Sequence, residues 1–327
     1  MDFLNILFPV SGVKTNILIP PLVALVISFF TSMAGISGAF LLLPFQMSVL
    51  NYTSPSVSGT NHVFNIFATP SGVYRYIKEG RMAWPLTWVI VLGTLPGVFL
   101  GYYLRVVYLP DPEVFKFFVG CVLLYIGLRL FKETLWSRGQ RPMGIKALEE
   151  KLKNTRDNRI KSKNSRFSPK IPREAVVKAL LISMKKIEYE FWGERFSFNP
   201  VVLFILSFAI GIIGGAYGIG GGSIIAPFCI TVLHLPVYTI AGATLMGTFI
   251  TSVAGAAFFS FIDIPKGVSA MPDWPLGILF GIGGFVGMYL GARFQKFVPQ
   301  KLIKLMLGLI IVFLAIKYIS QFFIGRT

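Results

Sequence analysis

Two glycine-rich segments are the chain's best candidates for chemistry. The segment Tyr217-Gly-Ile-Gly-Gly-Gly-Ser223 is echoed by Ala34-Gly-Ile-Ser-Gly-Ala39. Glycine permits positive φ and lets backbone N–H groups face inward. A helix beginning just after such a turn carries unpaired N–H groups and the positive end of its dipole, both aimed into the loop. Two such helix starts meeting inside the molecule would cradle an oxyanion without a buried cationic side chain. The candidate ligands are then Gly35, Ser37 and Gly38 in one segment and Gly218, Gly220, Gly221, Gly222 and Ser223 in the other. The competing reading is that these glycines serve close helix packing. A P-loop or dinucleotide fingerprint is excluded, because no Lys-Ser/Thr follows and no strand-like run precedes.

A second candidate is a pair of polar stripes. Asn61, Asn65 and Thr69 recur every four residues and share one helix face, and a shift of 183 residues turns them into Thr244, Thr248 and Ser252. Such stripes either join helices, at ~0.6 kcal/mol per bond, or line a cavity beneath the glycine turns and donate to substrate oxygens. His62 lies well inside a span and is a candidate proton or charge relay, with a histidine bonded between helices as the alternative. Gln46 could add an amide donor, and His234 falls at a connection. Asp111, Glu113, Asp263 and Asp273 all sit at the ends of apolar runs. Without a carboxylate in mid-span there is no usual carrier for a coupled cation, and no HExxH or Asp pair for a metal. A site of dipoles, hydroxyls and amides suits an anion and calls for no cofactor.

The elements that must position these residues follow from composition. Of 327 residues 54% are apolar and 14% charged, and the mean hydropathy is +0.69. A soluble domain is nearer 45–50% apolar and 25% charged, so lipid is the main solvent. At about 20 apolar residues per crossing, the chain can clothe about eight segments. This excludes a soluble α/β enzyme, a disordered chain and a disulfide scaffold. Cys121 and Cys229 read as small core residues inside apolar runs. Met1 to Asn16 shows no cleavage site for a removable signal peptide.

The apolar runs fall into two groups that are copies of one another. The 183-residue shift lays Gly35 on Gly218, Gly38 on Gly221, Pro44 on Pro227, Phe45 on Phe228 and Gly59 on Gly242. Further on, Gly97–Gly101 (GVFLG) resembles Gly287–Gly291 (GMYLG), and Lys116 with Gly120 resembles Lys304 with Gly308. Correspondence of this kind is the signature of a transporter built from repeats. The first stretch of each half, 17–50 and 199–233, is broken by its glycine segment into pieces that are mostly short for a crossing. If each forms a broken hairpin, each half adds three full crossings and the halves are inverted. The basic residues agree. Arg75, Lys78, Arg81, the long basic stretch, Arg293, Lys296, Lys301 and Lys304 then fall inside, leaving Arg105 and Lys266 outside. Two full crossings per stretch would give the same orientation.

The expected fold is therefore an all-α integral membrane protein. Residues 1–132 form the first repeat, 133–198 a basic cytoplasmic loop, and 199–327 the second repeat. Of 31 basic residues, 17 lie between Lys132 and Arg195. A loop of this kind sets orientation and touches anionic lipid; it does not point to nucleic acid. After Pro172, the residues Val176, Leu180, Met184, Ile187 and Phe191 recur three or four apart, which predicts an amphipathic helix on the membrane surface.

On the twin segments GISGAFLLLP and GIGGGSIIAP, each followed by a polar helix start (SGTNHVFN, AGATLMGT), the chain resembles the sulfite exporter TauE/SafE family of permeases. Ser37 and Ala39 stand where that family's pattern would have glycine. The resemblance covers both halves but not residues 133–197. It implies an inner-membrane protein that exports sulfite or small organosulfonates, or occasionally imports them, with the glycine turns and following helices as the binding region. A homodimer is left open. The rivals are an anion channel, a membrane enzyme, for which no nucleophile or metal cluster is visible, and a scaffold whose basic loop recruits a partner. Deleting 140–170 should leave flux through reconstituted protein unchanged for a transporter and destroy function for a scaffold.

Overall fold

The computed structural model describes residues 4–33, 36–135, 176–231, 233, 235–262, 270–294 and 300–324. Backbone in lipid must bond to itself, and the apolar runs are helices accordingly. In the first half α1 (Ile19–Met33) and α2 (Ala39–Ser48) flank the first glycine segment. Next come α3 (Ser56–Ala68) and α4 (Pro70–Lys78), separated at Thr69, because Pro70 has no N–H to continue the ladder. Then α5 (Trp84–Tyr103) runs into a π-helical turn, Leu104–Tyr108, and α6 (Pro112–Leu135) follows. The second half contains α7 (Pro200–Tyr217), α8 (Gly222–Thr231), α9 (Val237–Phe261), α10 (Trp274–Phe294) and α11 (Gln300–Ile324). Among the described residues six helices are long and apolar enough to cross a membrane, carried by α5, α6, α7, α9, α10 and α11. The ten-residue α2 and α8 rise only ~15 Å, about half a ~30 Å hydrocarbon layer. The protein is an all-α integral membrane protein.

The main helix pairings are kept when the two halves are exchanged. α1 lies along α10 as α7 lies along α5; α3 packs on α10 as α9 packs on α5; α6 pairs with α11 and α3 with α9. The two long seams are built by glycine at every fourth position. On α5, a Cβ at Gly93, Gly97 or Gly101 would strike the carbonyl oxygen of Phe204, Phe208 or Ile212 of α7. On α10, a Cβ at Gly283, Gly287 or Gly291 would strike that of Pro21, Leu25 or Phe29 of α1. The struck residues are related by the same 183-residue shift found in the sequence. In lipid, where apolar contact between helices gains little over contact with acyl chains, such backbone approach is what binds helices.

Two small antiparallel sheets flank the helices. β1 (Asn5–Phe8) pairs with β2 (Val13–Asn16), and β3 (Lys178–Ile182), β4 (Ile187–Phe191) and β5 (Glu194–Phe198) form the second sheet in sequence order. The second sheet replaces the amphipathic helix expected after Pro172; residues 172–175 of that expectation lie outside the described residues. Period two prevails over period 3.6 here. Ile187, Tyr189 and Phe191 are buried on alternate positions and continue into Phe196 and Phe198, whereas Val176, Leu180 and Met184 are exposed. Trp192 and Gly193, both at positive φ, make the tight turn that sets Phe191 opposite Glu194. Burial pushes the Tyr189 phenol above its ordinary pKa, so it stays protonated and hydrogen-bonds Thr239 Oγ1 at 2.9 Å, tying the sheet to α9.

Gly97→Val and Gly287→Val should each destabilise the fold by about 3 kcal/mol or more, beyond ordinary overpacking. Gly308→Ala, whose Cβ would meet only ordinary contacts at 3.6 Å, should be tolerated. Thermal unfolding in detergent separates these outcomes.

Candidate functional site

The two glycine segments come together against α3. After α7, the N–H groups of Gly218 and Ile219 both bond to the Gly214 carbonyl, and Gly218 and Gly220 adopt φ of 85° and 68°. Only glycine takes that conformation without strain, and α8 starts two residues later with its leading N–H groups facing the turn. Space forbids a side chain as well. A Cβ on Gly218 would strike Ser58 of α3, one on Gly220 would lie 2.9 Å from Ser252 Oγ, and one on Gly222 would lie 2.6 Å from Thr248 Oγ1. Gly221 faces the Thr94 side chain of α5.

The first segment is built differently. Gly38 is right-handed, at φ −59°, and is needed for room: its Cβ would sit 2.6 Å from Ser28 Oγ. Ser37 Oγ accepts from the Ala39 N–H at 3.3 Å, so this helix start is partly capped by its own serine. The expectation of two matching bends offering free N–H groups is therefore corrected: the second bend is left-handed and glycine-lined, and the first is closed by a hydroxyl. Gly35 and the side chain of Ser223 lie outside the described residues.

Asn65 joins the two turns. Ser37 Oγ donates to Asn65 Oδ1 at 3.0 Å, and Asn65 Nδ2 donates to the Gly218 carbonyl at 3.4 Å. One turn along α3, Asn61 Nδ2 donates to the Ala39 carbonyl at 3.2 Å. Tyr217 Oη crosses between the halves to donate to the Phe40 carbonyl at 2.9 Å. His62 Nδ1 lies 3.4 Å from Ser252 Oγ, and the imidazole rests on Gly255 of α9. Ser37, Asn61, His62, Asn65 and Thr248 are all at most 2% exposed. Among the described residues, Asn61 Oδ1 and His62 Nε2 have no hydrogen-bond partner, nor do Ser28 Oγ and either amide atom of Gln46. Each such buried polar atom costs about 1–3 kcal/mol unless something completes it.

Not every sequence candidate faces this cluster. Thr244 Oγ1 donates to Ala241 in its own helix at 3.2 Å, and Thr69 Oγ1 to Asn65 at 2.7 Å, so both hydroxyls serve the backbone. Two buried charges were not visible in the sequence. Arg105, counted there with the outside connections, is fully buried and bonds Ser58, Thr53 and Leu109. Asp273 is also fully buried; it accepts from Ser11 N and Oγ and from Leu276 N, fastening the β1–β2 hairpin to the start of α10. Both stand at ends of apolar runs, where a charge ordinarily reads as interfacial. No group of three or more His, Cys, Asp or Glu that could hold a metal is found among the described residues.

The sequence profile described as "Sulfite exporter TauE/SafE" matches residues 21–318. The chain belongs to the sulfite exporter TauE/SafE family. It is 20% identical over 299 residues to "Probable membrane transporter protein YunE" of Bacillus subtilis (strain 168), covering 89% of this chain and 92% of that one. It is 27% identical over 124 residues to "Probable membrane transporter protein YdhB" of the same organism, covering 38% of this chain and 48% of that one. No solved structure matches significantly. Membership in the TauE/SafE family, with six apolar helices among the described residues, makes the chain a multi-pass membrane transporter.

If Asn65 is the link between the turns, Asn65→Ala should destabilise the protein by about 2 kcal/mol through the orphaned Ser37 and Gly218 groups. Thr244→Val should change stability by less than about 1 kcal/mol, because its hydroxyl bonds only its own helix. Paired melting curves check both.

Proposed function

We propose that the chain carries a small sulfur oxyanion, sulfite or an organosulfonate such as sulfoacetate, by alternating access. The observation that carries the reading is the Asn65 bridge, which puts a glycine turn from each half on one buried polar cluster. Groups that can donate converge there: the amides of Asn61 and Asn65, the hydroxyls of Ser37, Thr248 and Ser252, and the leading N–H groups of α8, with those of Ser37, Asn61 and Asn65 bonded to protein oxygens in this state. Tetrahedral and pyramidal oxyanions are bound by such donor sets without a formal counter-charge. The unpaired Asn61 Oδ1 would accept a hydrogen bond from the proton of bisulfite or from a water carried with the anion. In this reading the halves are inverted repeats that rock about the cluster. An inside-negative potential contributes ~2.3 kcal/mol per charge per 100 mV toward export, so a coupling carboxylate is not required.

The proposal further puts the protein in the cell inner membrane, with residues 133–198 on the cytoplasmic side against anionic lipid. An open anion channel is the rival. Full burial of Asn61, His62 and Asn65 favours a carrier in an occluded state.

Leucine at Gly38 or Gly221 would collide with neighbouring helices, so Asn61→Leu is the better probe, being near-isosteric. In proteoliposomes loaded with sulfite or sulfoacetate, it should lower flux about tenfold or more at a stability cost of about 2 kcal/mol at most, that of the bond lost to the Ala39 carbonyl. Unchanged flux, or flux that never saturates, counts against the carrier reading.

A further inference from the structure

Arg105 belongs to the π-helical turn that ends α5, and its whole side chain is shielded from solvent. Its three protein hydrogen bonds all go to neutral oxygens. Nε donates to Ser58 Oγ at 3.3 Å, Nη2 to the Thr53 carbonyl at 3.0 Å, and Nη1 to the Leu109 carbonyl. The guanidinium also lies 3.6 Å from the centre of the Phe115 ring. It makes no ion pair among the described residues. Asp273, the other fully buried charged side chain among the described residues, directs its carboxylate to Ser11 and Leu276, and its backbone N–H to Thr60 Oγ1. A guanidinium stays charged in protein, so this is a fixed positive charge that, among the described residues, meets only dipoles and a ring face.

Its position ties that charge to the transport cluster. Ser58, which accepts from Arg105, donates in turn to the Ala216 carbonyl at 2.8 Å, at the mouth of the second glycine turn. Ser58 also packs directly on Gly218, and it lies one helical turn from Asn61 and His62 on α3. Resting on the anion reading above, we infer that Arg105 is the positioning residue that makes the cluster charge-selective. It holds the potential at the second turn positive and favours dianions over monoanions of like shape, without touching the ligand.

The test exploits the linearity of Coulomb energy in ligand charge. Dissociation constants are measured on the purified full-length protein for two pairs, methanesulfonate with sulfoacetate and acetate with malonate, at a pH where the second member of each is a dianion. If Arg105→Gln weakens a monoanion about tenfold, it should weaken its dianion about a hundredfold, and Arg105→Lys should restore most of both. Should Arg105→Gln fail to fold, Phe115→Glu sets a carboxylate beside the intact guanidinium. It should give the same squared dependence, with Phe115→Gln as its neutral control. Equal loss for both charges, or no loss, overturns the inference and leaves Arg105 a carbonyl cap. Squared loss on carboxylates alone, with no sulfonate bound by the unmodified protein, upholds it while the sulfur-oxyanion reading fails. An unmodified protein that binds none of the four anions overturns both.

Discussion

A helix interrupted at membrane depth must find other partners for the backbone groups it frees, because lipid offers none. Around this necessity the fold is arranged. Where α7 ends, Gly214 takes two N–H groups, Ser58 takes up the Ala216 carbonyl, and Asn65 the Gly218 carbonyl. Where α2 begins, Ser37 caps Ala39, Asn61 bonds the Ala39 carbonyl, and Tyr217 reaches the Phe40 carbonyl from the other half. Each break is mended largely by α3 or by the opposite half. Neither glycine turn is self-sufficient, and that mutual dependence keeps them adjacent.

The glycine seams supply the rigidity such an arrangement needs. α5 and α7 touch backbone to backbone, as do α1 and α10, so each broken pair is clamped to a helix of the other half. Each clamped pair thereby takes one helix from each half. Symmetry is relaxed where the chemistry differs. α9 runs unbroken while α3 gives way to α4 at Thr69, and Ser37 stands where the other half has Gly220. His62 and Asn65 face Leu245 and Thr248 as their equivalents. The cluster thus draws most of its amide and imidazole groups from the first half and its left-handed glycines from the second.

Much of this was legible in the residues. The 183-residue shift identified the equivalent elements, and the same shift relates the carbonyls that the two glycine seams touch. The four-residue spacing of Asn61 and Asn65 placed them on one face, and they do reach the turns. What was not legible has a common cause. Burial of Arg105 and Asp273 depends on what the β1–β2 hairpin and the 49–55 connection cover, and no local pattern encodes that. Thr244 has the right spacing, but its hydroxyl is taken by its own helix. The strands after Lys178 carry apolar residues at both periods, and the tight turn at Trp192 and Gly193 settles the matter in favour of a sheet.

The central claim is that one oxyanion is held jointly by the two halves at the meeting of their glycine turns. A structure of the full-length protein in lipid with sulfoacetate bound tests it most directly. The account predicts the sulfonate between Ser37 and Gly218–Gly222, with Asn61 or Asn65 within hydrogen-bond distance of its oxygens. A sulfonate bound elsewhere, with this cluster still closed on itself, would contradict it.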